Sequence, residues 1–140
     1  MKTAKPFALV PIFALPFALG ACMGSNAAPF PTYRYQGIDL LAQIEGIVRH
    51  DADCLRMRTT SPPDQDVVLI MPEGTRFDGK TVTLPVHNGG GMIALGKPVA
   101  IQGGFDTLDA GGRYIRNPTT CSGQAFTVNR IDQSATQAGE

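Results

Sequence analysis

The sequence predicts an all-β domain, folded as a small OB-like barrel of about five to six strands. Short runs alternate between apolar and polar residues, which is the period of a half-buried strand. Sixteen glycines and eleven prolines in 140 residues supply frequent turns, and no long uninterrupted helical pattern competes with the strands. Five principal strands, with a longer excursion between the third and the fourth, favour the OB-like arrangement; a meander of six to eight strands is the alternative.

The first and third principal strands are predicted over residues 44–49 and 67–71. Apolar residues between Leu40 and Val48 also have helical spacing, but Gly46 interrupts the interior of such a helix, so we favour a strand. Residues 67–71 read Val-Val-Leu-Ile-Met. An unbroken run of β-branched and aliphatic residues is typical of a central strand that is covered on both faces.

The second strand, residues 54–59, alternates strictly between two kinds of side chain. Its two faces carry Leu55, Met57 and Thr59 on one side and Cys54, Arg56 and Arg58 on the other. Successive side chains of a strand point to opposite faces, so we expect the first set to lie inside the barrel. The turn Ser61-Pro62-Pro63-Asp64 follows this strand.

The second half of the domain begins with Asp78-Gly79, a pair that is typical of a tight hairpin. Further strands are predicted over three ranges: 81–86, 98–102 and 126–131. Two glycine-rich stretches, 88–91 and 103–112, are expected to be loops, and their sequences leave open whether they bind anything.

The amino terminus has the features of a secretory signal. Lys2 and Lys5 give it a positive start, and residues 7–19 are uncharged and apolar apart from two prolines. This segment is shorter than the roughly 20 apolar residues that a membrane-spanning helix needs. A positive start, a short apolar segment and small residues at its end predict a signal peptide over residues 1–21.

The residues that end this signal, Leu19-Gly20-Ala21-Cys22, resemble a bacterial lipobox: an aliphatic residue, two small residues and a cysteine. The resemblance implies diacylglyceryl transfer to the Cys22 sulfur, cleavage before Cys22, and membrane anchoring in the cell envelope by two or more acyl chains. An aspartate after the cysteine is typical of inner-membrane retention in lipoproteins of diderm bacteria. Met23 stands there instead, so the outer membrane is expected if the source is diderm.

Three parts are expected in the mature chain. Residues 22–36 are rich in small residues and proline, which predicts a lipidated amino terminus and a flexible tether. Residues 37–131 are expected to form the barrel domain, and residues 132–140 a disordered polar tail. Phe30 and two tyrosines interrupt the tether, and we expect them either to pack on the domain or to lie at the lipid interface.

The cysteines divide into one anchor and one pair. With Cys22 assigned to lipid, Cys54 and Cys121 remain, and an oxidising compartment makes a disulfide between them the default. Free buried thiols or a redox pair are the alternatives, although a redox motif normally has closely spaced cysteines. A disulfide that closes a loop of this length stabilises a fold by about 4 kcal/mol in the chain-entropy model.

The charge of the chain argues against nucleic acid as a partner. Twelve basic side chains balance twelve acidic ones, and removal of Lys2 and Lys5 with the signal leaves the mature part slightly acidic. Nucleic-acid binding depends on clustered positive charge. Arg56 and Arg58 instead lie among aspartates, so the charges alternate in sign.

No catalytic residue, metal site or cofactor is predicted. Residues 91–97 match the spacing of a phosphate loop, but Pro98 occupies the position that requires Ser or Thr. His50 lies beside Asp51 and Asp53, yet a polar turn explains this trio more simply than metal ligation. The serines lie in tether, turn or tail contexts and not in a nucleophile elbow.

Two resemblances reach the mature domain. The order of residues 53–55, 68–75, 102–104 and 118–121 is similar to that in a group of small uncharacterised bacterial lipoprotein and secreted domains, which carries no assigned activity. Residues 78–85 and 110–114 locally resemble membrane-bound C-type lysozyme inhibitors, which are also disulfide-bonded β-barrel lipoproteins. The inhibitory serine expected in the second segment is Ala110 here, and tryptophan is absent from the sequence.

Together these features predict a non-catalytic envelope lipoprotein. The lipid on Cys22 would bind the membrane, and the barrel would bind an envelope protein or a glycan, or support the envelope. The alternative function is inhibition of a secreted cell-wall hydrolase of the lysozyme type. An enzyme would need a concave pocket with convergent polar groups. The ligand and the oligomeric state stay open at this point.

Overall fold

The computed structural model describes residues 28–37, 40–108, 114–116 and 121–132. This part of the chain forms ten strands and one turn of 3-10 helix at Val86–Asn88. In chain order the strands are β1 (Thr32–Tyr33), β2 (Ala42–Asp51), β3 (Cys54–Ser61), β4 (Pro63–Pro72), β5 (Arg76–Phe77), β6 (Thr81–Thr83), β7 (Met92–Ala94), β8 (Pro98–Asp106), β9 (Tyr114–Arg116) and β10 (Ala125–Asp132). The all-β class predicted from the sequence is confirmed.

Five of the strands close into a barrel. β2, β3 and β4 form an antiparallel meander, and β4 pairs in parallel with β10. β10 is antiparallel to β8, and β8 returns antiparallel to β2, which completes the ring. The barrel thus consists of three consecutive strands, a long connection and two further strands. This is the OB-like topology expected from the sequence. The long connection, residues 73–97, lies between β4 and β8, where the excursion was predicted.

The interior of the barrel follows from the alternation of its strands. On β3 the inward side chains Leu55, Met57 and Thr59 are buried, as predicted. On β4 both faces are covered: Val67 and Leu69 lie in the barrel core, whereas Val68 and Ile70 pack in two small clusters on the outer side. Full burial of such a side chain contributes about 1.5–3 kcal/mol, so β4 is the most strongly buried strand of the meander.

Residues 73–97, which we call the cap, cover the end of the barrel where β4 stops and β8 begins. β5, β6 and β7 pair in that order as a small antiparallel sheet. Val82, Leu84 and Ile93 of the cap are buried in the same apolar core as the barrel strands. The cap therefore closes an end of the barrel through which water would otherwise reach the core.

The hairpin predicted at Asp78-Gly79 is present between β5 and β6. One carboxylate oxygen of Asp78 accepts hydrogen bonds from the backbone N–H groups of Lys80, at 2.9 Å, and Thr81, at 2.7 Å. Hydrogen bonds to the charged form stabilise it, and they lower the pKa of Asp78 from its ordinary value. β6 ends at Thr83, before the expected end at residue 86, because the chain turns into the 3-10 helix.

The chain before β2 packs on the barrel. Phe30 is fully buried in the core, and its ring centroid lies 5.7 Å from that of Phe77 in the cap. β1 pairs in parallel with β4, and the Tyr33 hydroxyl donates a hydrogen bond to a backbone carbonyl of β10 at 2.9 Å. These aromatic residues thus pack on the domain. Folded structure begins by Ala28, inside the range 22–36 for which the sequence predicted a tether.

Two glycines lie where neighbouring strands approach too closely for a side chain. A Cβ atom on Gly46 of β2 would meet the carbonyl oxygen of Arg58 on β3, and one on Gly103 of β8 would meet that of Thr127 on β10. Glycine at such points allows the close backbone approach and sharp bends of a small barrel. β8 continues past Gly103, so the loop expected over 103–112 begins as strand.

Gly103→Ala is expected to lower the free energy of unfolding by about 3 kcal/mol, the upper part of the usual cost of overpacking. The added methyl group meets the backbone of β10, which cannot move without opening the barrel. Gly104→Ala is the comparison variant. A Cβ atom there meets Leu40, including its Cβ atom, so this exposed residue before β2 must shift, but no paired strand has to move. Urea unfolding compares the two variants. Equal losses would contradict the close approach of β8 and β10.

Candidate binding face

Outward-pointing side chains of β2, β3 and β4 form a polar surface that we call the charged face. Its members alternate with the core positions of the three strands: Ile47, Arg49, Arg56, Arg58, Thr60, Asp64 and Asp66. A one-residue slip of any strand would exchange this surface with the apolar interior. The register that builds the core therefore also builds the face.

Arg49 of β2 and Arg56 of β3 are directly opposed in the sheet. Like charges at opposed positions destabilise a strand pair. The carboxylate of Asp66 offsets this repulsion, since it lies 2.9 Å from the Arg49 guanidinium and 3.8 Å from that of Arg56. Asp51 lies 4.0 Å from Arg56 as well. Two arginines and two carboxylates thus form one connected network across three strands.

A separate ion pair joins Arg58 to Asp64 at 3.2 Å. Both of these side chains are mostly exposed, and those of Arg49 and Asp66 are about half exposed. Exposed ion pairs contribute only about 0–1 kcal/mol, so these groups can exchange their present partners for a ligand at little cost. The side chain of Arg56, in contrast, is only 15% exposed and belongs to the framework of the face.

The disulfide predicted between Cys54 and Cys121 is present. It draws residues 121–124, which we call the wall, over the outer side of the sheet. The two cysteines pack with Val68 of β4 and with the partly buried Leu108. This cluster covers the outer face of β4, which explains why an outward-pointing valine is fully buried there.

Two hydrogen bonds also fasten the wall to the sheet. The Arg56 guanidinium donates to the carbonyl of Ser122 at 2.8 Å, and the Val68 N–H donates to the carbonyl of Gln124 at 2.8 Å. A hydrogen bond from a charged donor contributes about 1.5–3 kcal/mol. The wall is therefore a fixed boundary at one side of the charged face.

An open groove with a volume of about 490 Å³ crosses the rest of the face. It is lined by Ile47, Arg49, Arg58, Thr59, Thr60, Pro63 and Asp64. Apolar surface from Ile47, which is 42% exposed, adjoins guanidinium, hydroxyl and carboxylate groups. In OB folds the face of the second and third strands, here β3 and β4, binds oligosaccharides or oligonucleotides. Fold alone does not choose the ligand.

Two members of the polar trio His50, Asp51 and Asp53 point to opposite sides of β2. The His50 ring packs 4.8 Å from that of Phe77, on the side of the strand that faces the core, whereas Asp51 points outward to Arg56. No group of three potential metal ligands occurs among the residues that the structure describes.

Residues 91–97 have the backbone of a strand and a turn. β7 ends at Ala94, and β8 begins at Pro98, so a strand follows where a phosphate loop needs a helix. The Gly96 N–H donates to the carbonyl of Val48 at 2.9 Å. This turn is therefore fastened to β2, and its glycine serves the fold.

The residues on which the anchor depends lie outside the described part of the chain. Cys22 and the signal over 1–21 belong to this group. The residues of the predicted tail after Asp132 also lie outside the described part. Among the described residues, no helix is long and apolar enough to cross a membrane.

Comparisons with protein-family models, with curated proteins and with solved structures find no match for this chain. The fold and the site define its class as a small disulfide-bonded OB-like barrel. No family match supports the resemblances to bacterial lipoproteins and to lysozyme inhibitors. Of the two inhibitor-like segments, residues 78–85 lie in the cap, and residues 110–113 lie outside the described ranges.

The sequence located only part of the charged face. Alternation correctly placed Arg56 and Arg58 on the outer side of β3, with Cys54. Ile47 and Arg49 were missed as members of the same surface, because the helical spacing around them left the faces of that strand unassigned. Alternation from the buried Val48 would have identified both.

Replacement of Cys54 and Cys121 by serine is expected to lower the free energy of unfolding by about 4 kcal/mol. The sequence separation of 67 residues is long, so the open chain regains much conformational entropy. Urea unfolding of the double variant, compared with the oxidised wild type, measures the loss. The wild type under reducing conditions should match the double variant. A loss below about 1 kcal/mol would show that the wall does not depend on the disulfide.

Proposed function

We propose that this chain is a non-catalytic lipoprotein of the cell envelope whose barrel binds a glycan on the charged face. The observation that carries the binding role is the groove on the charged face, which combines exposed ion pairs with apolar surface. The anchor rests on Leu19-Gly20-Ala21-Cys22, which follows the apolar segment of the signal directly. The outer membrane is the proposed location if the source is diderm.

The chemistry of the groove favours a carbohydrate. A sugar presents hydroxyl groups together with C–H surface, and acidic sugars add carboxylates. The guanidinium groups of Arg49 and Arg58 suit carboxylates through bidentate hydrogen bonds, and the Asp64 carboxylate can accept from hydroxyl groups. Ile47 and Pro63 offer apolar surface to a sugar ring.

The mixed charge of the face disfavours a long polyanion. Arg49 and Arg58 each lie within 3.2 Å of an aspartate oxygen, so the positive charge is compensated locally. Nucleic-acid binding instead relies on uncompensated basic clusters. An envelope protein is the competing partner, and the experiment below separates it from a glycan.

The double substitution Arg49→Ala with Arg58→Ala is expected to reduce binding to insoluble cell-wall glycan several-fold. It removes both guanidinium groups from the groove and retains Arg56, which fastens the wall. Co-sedimentation of the purified protein with the glycan measures binding. Arg76→Ala is the matched control, since Arg76 is an exposed arginine of the cap and should leave binding unchanged.

Equal sedimentation of the double variant and the wild type, or no sedimentation of either, would contradict glycan binding on this face. A specific envelope protein crosslinked to the wild type and lost in the double variant would identify a protein partner instead. Slowing of lysozyme by stoichiometric amounts of the protein would favour the inhibitor alternative.

Cys22→Ser is expected to abolish metabolic labelling with palmitate and to release the protein from the membrane fraction. Replacement of the cysteine removes the sulfur that would carry the acyl group. Cys121→Ser is the control, because it removes a cysteine that the disulfide uses, and its labelling should persist. Palmitate incorporation into the Cys22→Ser variant would show that both the anchor and the assignment of the cysteines are wrong.

A further inference from the structure

We propose that the cap docks on the membrane that holds Cys22, with anionic lipid headgroups against Lys80 and Lys97. This inference rests on the lipid anchor of the proposed function. Three observations carry it: the short chain between anchor and barrel, the end of the barrel at which that chain enters, and the charge of the cap.

The chain between the anchor and the barrel limits how far the barrel can stand from the membrane. Folded structure begins by Ala28, six residues after Cys22. An extended residue spans at most about 3.5 Å, so the reach is roughly 21 Å whatever conformation residues 22–27 adopt. A domain of about 100 residues has a radius of gyration of about 13 Å, hence a diameter of roughly 33 Å. The end that receives the chain therefore cannot face away from the membrane.

The end that receives the chain is the end closed by the cap. The Met71 N–H, at the end of β4 where the cap begins, donates to the carbonyl of Pro31 at 3.1 Å. The Phe30 ring lies 5.7 Å from Phe77, which precedes the hairpin turn of the cap. The anchor thus brings the cap, and not the opposite end of the barrel, to the membrane surface.

The cap carries two exposed lysines on neighbouring turns. Lys80 lies in the turn between β5 and β6, and Lys97 lies in the turn between β7 and β8. The Leu95 N–H donates to the carbonyl of Lys80 at 2.9 Å, which holds the two turns side by side. They are the only lysines in residues 22–140. Both lysines of the mature chain therefore lie on one edge of the cap.

The cap carries a small net positive charge. Its basic side chains are Arg76, Lys80 and Lys97, all of them exposed, and its acidic ones are Glu73 and Asp78, which leaves a net charge of +1. Glu73 lies 3.6 Å from Arg34, which is outside the cap, and Asp78 stays charged in the same turn as Lys80 because backbone N–H groups donate to its carboxylate. A basic side chain near an anionic bilayer contributes about 1 kcal/mol. Such a small contribution can orient a domain that an anchor already holds at high effective concentration.

Amine labelling of the lipidated, full-length mature protein tests the docking. Vesicles of phosphatidylethanolamine and phosphatidylglycerol carry the protein, and mass spectrometry follows modification of Lys80 and Lys97. The matched control has a long Gly/Ser insertion between Ala27 and Ala28 and is placed in the same vesicles. The protein of natural length is also placed in neutral phosphatidylcholine vesicles. Both lysines are expected to react several-fold more slowly in the protein of natural length. Carboxyl labelling of Asp64, at the opposite end of β4, should be equal in the two proteins.

The outcomes separate the docking from the anchor. A protein that floats with the vesicles, but whose lysines react as fast as those of the lengthened control, would overturn the docking and leave the anchor intact. A protein that does not float with the vesicles would overturn the anchor, and the docking with it. Equal protection of the natural-length protein in neutral and in anionic vesicles would overturn the role of lipid charge.

Discussion

Burial of β4 on both of its faces is the constraint on which the rest of the structure depends. Its inward side chains fill the barrel, and its outward side chains are covered by the cysteine pair and by the chain around Tyr33. Along its length β4 pairs with β3, β10 and β1. The same strand therefore joins the meander, closes the ring and receives the amino-terminal segment. Loss of its register would dismantle all three and also the charged face, whose Asp64 and Asp66 it carries.

The principal strands could be predicted because each leaves a local trace in the sequence. Alternation of apolar and polar residues indicates β3, because only one face of that strand is buried in the barrel. An unbroken apolar run indicates β4, because both of its faces are covered. The burial of Phe30 could not be predicted. A segment of small residues and proline has the same composition whether it packs on a barrel or stays free. The parallel pairing of β4 with β10 joins residues more than fifty positions apart, and nothing local specifies it.

The charged face was partly predictable for a related reason. The outward position of Arg56 and Arg58 follows from one strand alone, whereas the groove needs Arg49 from β2 and Asp64 from β4 in register with them. His50 shares the inward side of β2 with Val48, so simple alternation already separates it from Asp51. The proximity of Lys80 and Lys97 depends on how the cap folds, and their spacing in the sequence gives no indication of it.

The core needs residues from both ends of the domain. Phe30 precedes every barrel strand, and Phe126 and Val128 belong to the last one, yet all three lie in one apolar cluster. A ribosome releases the amino end first, so Phe30 is synthesised nearly a hundred residues before the strand that completes its surroundings. Non-local closure of this kind is slow compared with local helix formation. Likewise, the disulfide of Cys54 cannot form until Cys121 has been synthesised. The domain is therefore completed by its final strand, and the barrel of a nascent chain cannot close before β10 has been synthesised.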